Sequence, residues 1–432
     1  MSKKILIIGL LFYLLVFSLG VFAEPKVPEI PQVDVSFVNA PYIDHTQAII
    51  GLDKGWFSDV GITLTPKPFG KVLTGDKQNA LLAAGTADVI SGSVGLVLPL
   101  AKKIDLAFFV AGDVFQGYAI MARPDKGYKS LNYFIEEKGY NFEKALNETI
   151  SQMEGKNFII PTDPIIKGFM NLIFEKSKIN VDLVKTIILE DPTHAGAMAA
   201  GRGDFELGGV PARLSLEAQG FISIVTSFDL AKSAKASVES DELRSIFRDG
   251  WVTTKEYWQN NEDTILRLAS VMFRITRFIN DEPKEALKIH LPFINTVGGT
   301  DFGEKEGEVA YNSLHPFYTF EDQFSWYFDE SDPLYLDYEI GSYTSMWVDK
   351  GLYKPGEVAK EDLSVADIVY KKLLKLKLED ESLFRKAEIS INGGKGNIEK
   401  AKELLDKARY HYDAYNFLDA KRFAEAAIQF AK

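Results

Sequence analysis

The chain has 432 residues, 46% of them hydrophobic and 12% aromatic, which excludes a disordered polypeptide and exceeds what one hydrophobic core supports, so two or more lobes are expected. Its formal net charge of −12 excludes the sequence-independent affinity for nucleic acid and anionic lipid that a basic surface confers. With no cysteine, the chain has neither a disulfide framework nor a lipid-modified N-terminal cysteine.

Lys3 and Lys4 precede an uncharged apolar run from Ile5 to Phe22, and Val21-Phe22-Ala23 stands before Glu24. That is the layout of a secretory signal over residues 1–23, and it predicts export; the run is also near the lower length of a membrane span, so an uncleaved anchor is the alternative. Removing it takes two of the 49 basic residues and none of the 61 acids, which moves the net charge from −12 to −14. Pro25, Pro28 and Pro31 make residues 24–32 an extended leash.

Val33 to Asn39 alternates and is rich in β-branched residues, which predicts a strand, followed by the loop Ala40 to His45 and a helix to about Lys54. Gly61 to Thr65 predicts a second strand, Asp76 to Ala84 a helix, and Asp88 to Ser91, Leu106 to Val110 and Tyr118 to Met121 three more strands. A second series echoes the first: strand Phe158 to Ile160, helix Ile166 to Ser177, strand Thr186 to Leu189, helix His194 to Ala200 and strand Phe205 to Leu207, after which Phe221 to Thr226 carries the chain back toward the first lobe. This rhythm predicts an α/β protein with mostly parallel sheets. From about Glu239 to Lys375 the chain reads as mainly helical, with Ile265, Leu268, Met272, Ile275 and Ile279 on one buried face. Past Gly393-Gly394-Lys395-Gly396, one helix presents Ile398, Ala401, Leu405, Ala408 and Tyr412, and a second presents Phe423, Ala426, Ala427 and Phe430. Together they predict a C-terminal helical hairpin.

One pattern occurs twice, 116 positions apart: Ala83-Ala84-Gly85, Asp88 and Gly92 recur as Ala199-Ala200-Gly201, Asp204 and Gly208. Each copy reads as a helix closed by a glycine at positive φ, an Asp-bearing turn, a strand and a glycine near its end. Ligands of open α/β sheets bind beyond such strand ends, so two copies suggest two lobes facing one cleft.

The stretches Ala48 to Gly61 (AIIGLDKGWFSDVG), Ala80 to Ser93 (ALLAAGTADVISGS), Met153 to Lys156 and Ala197 to Pro211 (AMAAGRGDFELGGVP) resemble, in order and spacing, the periplasmic solute-binding proteins of ABC importers, in the branch for thiamine-precursor, sulfonate, taurine and nitrate ligands. The likeness spans roughly residues 33 to 230. It implies a two-lobed, Venus-flytrap architecture of the type II periplasmic-binding-protein fold. One lobe would comprise residues 33–117 and 226–378, the other residues 118–225, and the hairpin residues 379–432. It also implies a protein that captures a small molecule and presents it to a membrane permease, with no catalysis and no cofactor.

The loops after the strands then supply the expected ligand contacts. Asn39, Tyr42 and His45 come from the first, Ser91, Gly92 and Ser93 from the third, Phe115 and Gln116 from near the lobe crossing, and Thr162, Asp163, Gly208, Val210 and Arg213 from the second lobe. His45 could instead pack at a helix start, Asp163 could cap the next helix, and Arg213 could lie on a solvated face. Asp88 and Asp204 read as turn locks. A flat heterocyclic vitamin precursor is favoured over sulfonate or nitrate because Tyr42, Phe115 and Trp56 could stack on it. The partners expected are thus this small molecule and an ABC permease.

No nucleophile elbow, phosphate loop or calcium loop is present, and His45, His194, His290, His315 and His411 lack metal-ligand spacing. The fungal thiamine-pyrimidine synthase shares the family's fold but depends on a cysteine-rich motif that this chain lacks. A solute-sensing or scaffold ectodomain would use the same cleft and remains the alternative.

Overall fold

The computed structural model describes residues 25–73, 75–161, 164–189, 193–210 and 212–432. The proposed signal, Thr162 and Asp163 lie outside the described residues. Two compact units result: Pro31–Leu374 with Ala414–Asn416, and Lys375–Asp413 with Phe417–Lys432 and the described residues before Pro31. Among the described residues no helix is long and apolar enough to cross a membrane.

The large unit holds two sheets. The first contains β1 (Val33–Asn39), β2 (Ile62–Thr65), β3 (Lys71–Val72), β4 (Val89–Ser93), β5 (Leu106–Phe115) and β11 (Phe247–Thr254). The second contains β6 (Ala119–Ala122), β7 (Asn157–Ile160), β8 (Lys185–Ile188), β9 (Phe205–Gly208) and β10 (Ile222–Thr226). The first has the order β2-β1-β4-β11-β5 with β3 beside β1, and the second β8-β7-β9-β6-β10. In each, three neighbouring strands run parallel, and the fourth lies antiparallel to both of its neighbours. That fourth strand is the one that has crossed from the other sheet: β6 follows β5, and β11 follows β10. Two crossings therefore join the lobes.

All ten residues of β5 are buried, as a run apolar on both faces requires. β11 lies where the sequence reads as mainly helical. Its segment FRDGWVTT carries Arg248, Asp249 and Gly250, which interrupt the apolar signal of a strand, yet seven of its eight residues are buried. The glycine is required there, because a Cβ on Gly250 would lie 1.9 Å from the Val110 carbonyl oxygen. Next to it Trp251 packs edge-on to Phe37 at 5.2 Å and against Phe57 and Phe109. The helix Glu262–Asp281 covers this sheet with Ile265, Leu268, Met272, Ile275 and Ile279, the face that its spacing predicts. Of the aromatic residues between positions 317 and 343, Phe317, Phe320, Trp326, Tyr327 and Tyr343 are core residues.

The duplicated pattern is a duplicated device. Gly85 and Gly201 take φ of +65° and +77° and end their helices. The Asp88 carboxylate accepts the Ser36 amide of β1 at 2.7 Å and the Asp204 carboxylate the Asn157 amide of β7 at 3.1 Å, each fixing the strand that lies parallel beside its own.

In the smaller unit, Ala401, Leu404, Leu405 and Ala408 of helix Ile398–Asp413 meet Phe423, Ala424 and Ala427 of helix Phe417–Ala431. The hairpin gains a third partner, since Ala387 and Ile391 of the long helix Ala366–Gly393 share the same core.

Candidate functional site

The densest group of unpaired polar chemistry lies in the first lobe. Pairing of β11 with both neighbours puts Asp249 opposite Ser93 of β4 and Asp113 of β5. Paired residues of adjacent strands share a face, so these three side chains form a row across the sheet. A bulge in β5 leaves Gly112 unopposed and sets Asp113 in that row. The outer edge of β5 is covered by a loop: Val114 and Gln116 donate to the carbonyls of Pro316 and Leu314, and Tyr318 donates to that of Gly112. This brings His315 beside Asp113, with Nδ1 3.5 Å from Oδ2.

The loop after β1 closes the group. Ala40 N–H donates to Ser91 Oγ at 2.9 Å, His45 N–H to the Tyr42 carbonyl, and Thr46 Oγ1 meets His290 Nε2 at 2.8 Å. Held so, Asp44 Oδ2 lies 3.6 Å from His315 Nδ1 and 3.8 Å from His45 Nε2, and His45 Nε2 lies 3.7 Å from Asp249 Oδ1. These five side chains, Asp44, His45, Asp113, Asp249 and His315, are all buried. Seven of their polar atoms are buried without a hydrogen-bond partner: Asp44 Oδ1, His45 Nδ1, both Asp113 oxygens, Asp249 Oδ1 and both His315 nitrogens.

Burial sets the protonation of this group. It raises the Asp113 carboxyl to about 7 against the opposing pull of His315, and lifts Asp249 well above the carboxylate range with Asp44 and Asp113 adding repulsion. It lowers His45 despite Asp44 nearby, and lowers His290 to about 3, so His290 is a neutral link between Thr46 and the Tyr311 hydroxyl.

The residues expected from sequence fall into three sets. His45 and Ser93 both adjoin Asp249, and Tyr42, half exposed, stands edge-on to the His45 ring at 5.9 Å. Phe115, Gln116, Val210 and Arg213 meet at the crossing. A Cβ on Gly117 would lie 2.6 Å from the Phe115 ring and 3.3 Å from Val210, and Arg213 Nη1 donates to the Gly117 carbonyl while its Nε donates to Glu217. Asn39, Ser91, Gly92 and Gly208 lie within the strands. Asn39 Nδ2 donates to the Phe69 carbonyl, the Ser91 hydroxyl accepts the Ala40 amide, Gly92 pairs with Gly250, and Gly208 pairs with Ala119. Trp56, read as a stacking ring, packs against Phe278 with Arg274 over its face.

Sequence reasoning did not single out Asp44, Asp113, Asp249 or His315 as a group, because they come from four separated segments. One signal was available. Asp113 is a lone acid inside the apolar run LAFFVAGDVF, where a charge is retained only for a partner or a purpose.

A groove of about 600 Å³ elsewhere in the unit is lined by Asp241, Arg244, Asp337, Asp349 and Lys360. Its cations are already paired, Arg244 with Asp241 at 2.6 Å and Lys360 with Asp337 at 2.8 Å.

No known family profile matches the chain, and no curated protein matches it in sequence. Solved structures do share its fold. A sulfonate-binding periplasmic protein of an ABC transporter from Methylobacillus flagellatus is 14% identical, with 81% of this chain and 96% of that one covered at a TM-score of 0.55. The periplasmic aliphatic sulphonate-binding protein of Escherichia coli is 8% identical, with coverage of 78% and 92% and a TM-score of 0.53. An enzyme is among the similar structures too: the desulfurization enzyme DszB, bound to biphenyl-2-sulfinic acid, is 13% identical, with coverage of 79% and 99% and a TM-score of 0.52. The chain thus has the two-lobed fold of the periplasmic solute-binding proteins of ABC importers, the family that its sequence motifs resemble.

Proposed function

We propose that the chain is an extracytoplasmic solute-binding protein that takes a small organic molecule between its two lobes and delivers it to an ABC importer permease, without itself catalysing a reaction. The observation that carries this reading is the pair of like-ordered sheets joined by two crossing strands. Such a pair hinges as two rigid bodies, and a solute that touches both selects the closed arrangement by its differential contacts. The apolar run with its small-residue cut accounts for export.

The solute we favour is an uncharged or cationic heterocycle. Arg213, the cation that the second lobe offers to an anion, is engaged by Glu217 and the Gly117 carbonyl, and the first lobe presents buried carboxyls. Phe115 and Tyr118, 4.6 Å apart at the crossing, supply ring faces and edges for a flat molecule. His45, Ser93, Gln116 and Val210 are the contacts proposed around it.

The test is thermal denaturation of the purified chain with hydroxymethylpyrimidine, taurine, an alkanesulfonate and nitrate, alongside native mass spectrometry of protein from its own host. A rise in Tm with the heterocycle supports the reading, and a rise with a sulfonate alone overturns the choice of solute. No shift with any of them and no co-purified molecule would overturn the binding role.

A further inference from the structure

The solute reading uses His45 as a contact and the lobe's carboxyls only for their charge, and it does not explain why Asp44, Asp113, Asp249 and His315 are gathered around His45 in one buried group. Their spacing is informative. The contacts of 3.5–3.8 Å between imidazole nitrogens and carboxylate oxygens are too long for hydrogen bonds. They are close to the edges of a coordination shell: ligand atoms about 2.0–2.2 Å from one metal ion stand roughly 3.4 Å from one another at tetrahedral angles. In two overlapping triads, Asp44–His45–Asp249 and Asp44–Asp113–His315, one donor atom from each residue lies within 4.8 Å of the others.

The second observation is the unsatisfied chemistry. Lone pairs of Asp113, Asp249, Asp44, His45 and His315 are removed from water with no hydrogen bond in exchange. Leaving such groups unpaired opposes folding. Among the described residues no Lys or Arg forms an ion pair with Asp44, Asp113 or Asp249. Arg248, next along β11, is spent on Glu339 at 3.4 Å and on the Trp326 ring. A bound cation supplies what the protein does not.

We propose that Asp44, His45, Asp113, Asp249 and His315 form a binding site for a first-row divalent transition-metal ion, with Asp44 shared between the two triads. The donor set selects the class. Imidazole nitrogen with carboxylate oxygen suits Zn²⁺, Fe²⁺ or Mn²⁺, whereas Mg²⁺ and Ca²⁺ favour shells of oxygen alone and Cu⁺ favours sulfur. The scaffold is rigid where it must be: two ligands, Asp249 and Asp113, sit opposite one another on adjacent strands within the six-stranded sheet, and the loops bearing the others are tied down by Ser91, Thr46–His290 and the backbone pairing of β5. The site stands on these contacts alone and holds whether or not a solute binds between the lobes.

Co²⁺ is the probe, because its visible d–d absorption reports protein nitrogen and oxygen ligands directly. Full-length protein stripped with EDTA is titrated with Co²⁺, then challenged with Zn²⁺ and with Mg²⁺, and its Tm is followed with each ion. The expected result is a saturating d–d spectrum that Zn²⁺ abolishes and Mg²⁺ does not, with a rise in Tm. Asp113→Asn and His315→Gln each weaken Co²⁺ binding at least tenfold. Asp113→Asn also leaves the Tm of the metal-free protein unchanged or raised, since it removes a buried carboxyl that has no cation, and this separates loss of a ligand from loss of the fold. Absence of a Co²⁺ spectrum in the unaltered chain, or binding that both variants leave intact, overturns the proposal. A solute shift without Co²⁺ binding overturns this site and leaves the solute reading standing.

Discussion

In the first lobe Asp88 accepts an amide of β1, and in the second Asp204 accepts one of β7; Gly85 and Gly201 turn the chain alike, and the strand orders match. The rows at the ends of those strands do not match. In the register of the repeat, Gly92 beside Gly250 matches Gly208 beside Ala119; β4 then runs one residue further, to Ser93, which pairs with Asp249 and through it with Asp113, whereas β9 ends at Gly208. Deeper in, Ser91 faces Trp251 in one sheet and Leu207 faces Ile120 in the other. The difference teaches that the backbone device belongs to the fold, and that chemistry was placed on one copy of it.

The matched positions Trp251 and Ile120 give the largest test. Trp251 of the first sheet touches three aromatic rings, and Ile120 of the second lies in a hydrophobic core. Trp251→Ala should cost about 3–5 kcal/mol and Ile120→Ala about 2–5, with the tryptophan costlier, as urea unfolding would measure. A larger loss at Ile120 would mean that the second lobe, not the charged one, is the mechanical centre of the unit.

A buried carboxyl of another kind sharpens what the cluster means. Asp380, in the C-terminal unit, has no hydrogen-bond partner for either oxygen, and burial raises its pKa to about 8; Glu379 and Glu425 add to the rise and Lys421 opposes it. A carboxyl raised this way is bound to its proton more tightly in the folded state than in the unfolded chain, where it titrates near 4. Stability is therefore full below about pH 4 and is lost as pH rises toward 8. Asp380→Asn should gain on the unaltered protein as pH increases across that window, read as the difference in Tm at about pH 5 and about pH 8.5. A constant difference would show that Asp380 keeps its charge and has a counter-ion. Burial raises Asp113 and Asp249 in the same way; the contrast with the first lobe is that Asp380 has no imidazole beside it, whereas His45 and His315 lie 3.5–3.8 Å from the cluster's carboxylates.

Much of this architecture is legible in the chain. Val33 to Asn39 is a strand to the residue, the 3.6 period of Ile265 to Ile279 faces the core, and the repeat at Gly85 and Gly201 is a structural repeat. The strand β11 was not legible, because Arg248 and Asp249 break its alternation while Glu339 and the neighbouring acids define their surroundings from far along the chain. The cluster was hidden for the same reason. Metal-ligand spacing is a local signal, and His45 and His315 reach one another only through the pairing of residues 314–318 with β5. Arg213 shows the converse: a cation expected in the strand-end loop lies instead at the start of a helix, where Glu217 of that helix and the Gly117 carbonyl occupy it.

The two clamp carboxylates should behave as equals. Each accepts one backbone amide and is half buried, so Asp88→Ala and Asp204→Ala should each cost about 1.5–3 kcal/mol, and the double variant should cost their sum because the sites lie in different sheets. Unequal losses, measured by urea unfolding, would break the equivalence of the lobes at the very feature that the sequence repeats.

The smallest effect tests the turns alone. A Cβ on Gly85 would meet nothing within 4 Å, so Gly85→Ala reports only the cost of positive φ, about 1–2 kcal/mol. At Gly201 the new atom would lie 3.4 Å from Arg123 Nη1, a flexible end that can yield, so Gly201→Ala should cost nearly the same. Asparagine tolerates this conformation better than alanine, and Gly85→Asn and Gly201→Asn should each recover part of the loss. If asparagine were no better than alanine at one site only, the two turns would differ in something beyond backbone handedness, and the repeat would be one of sequence more than of mechanics.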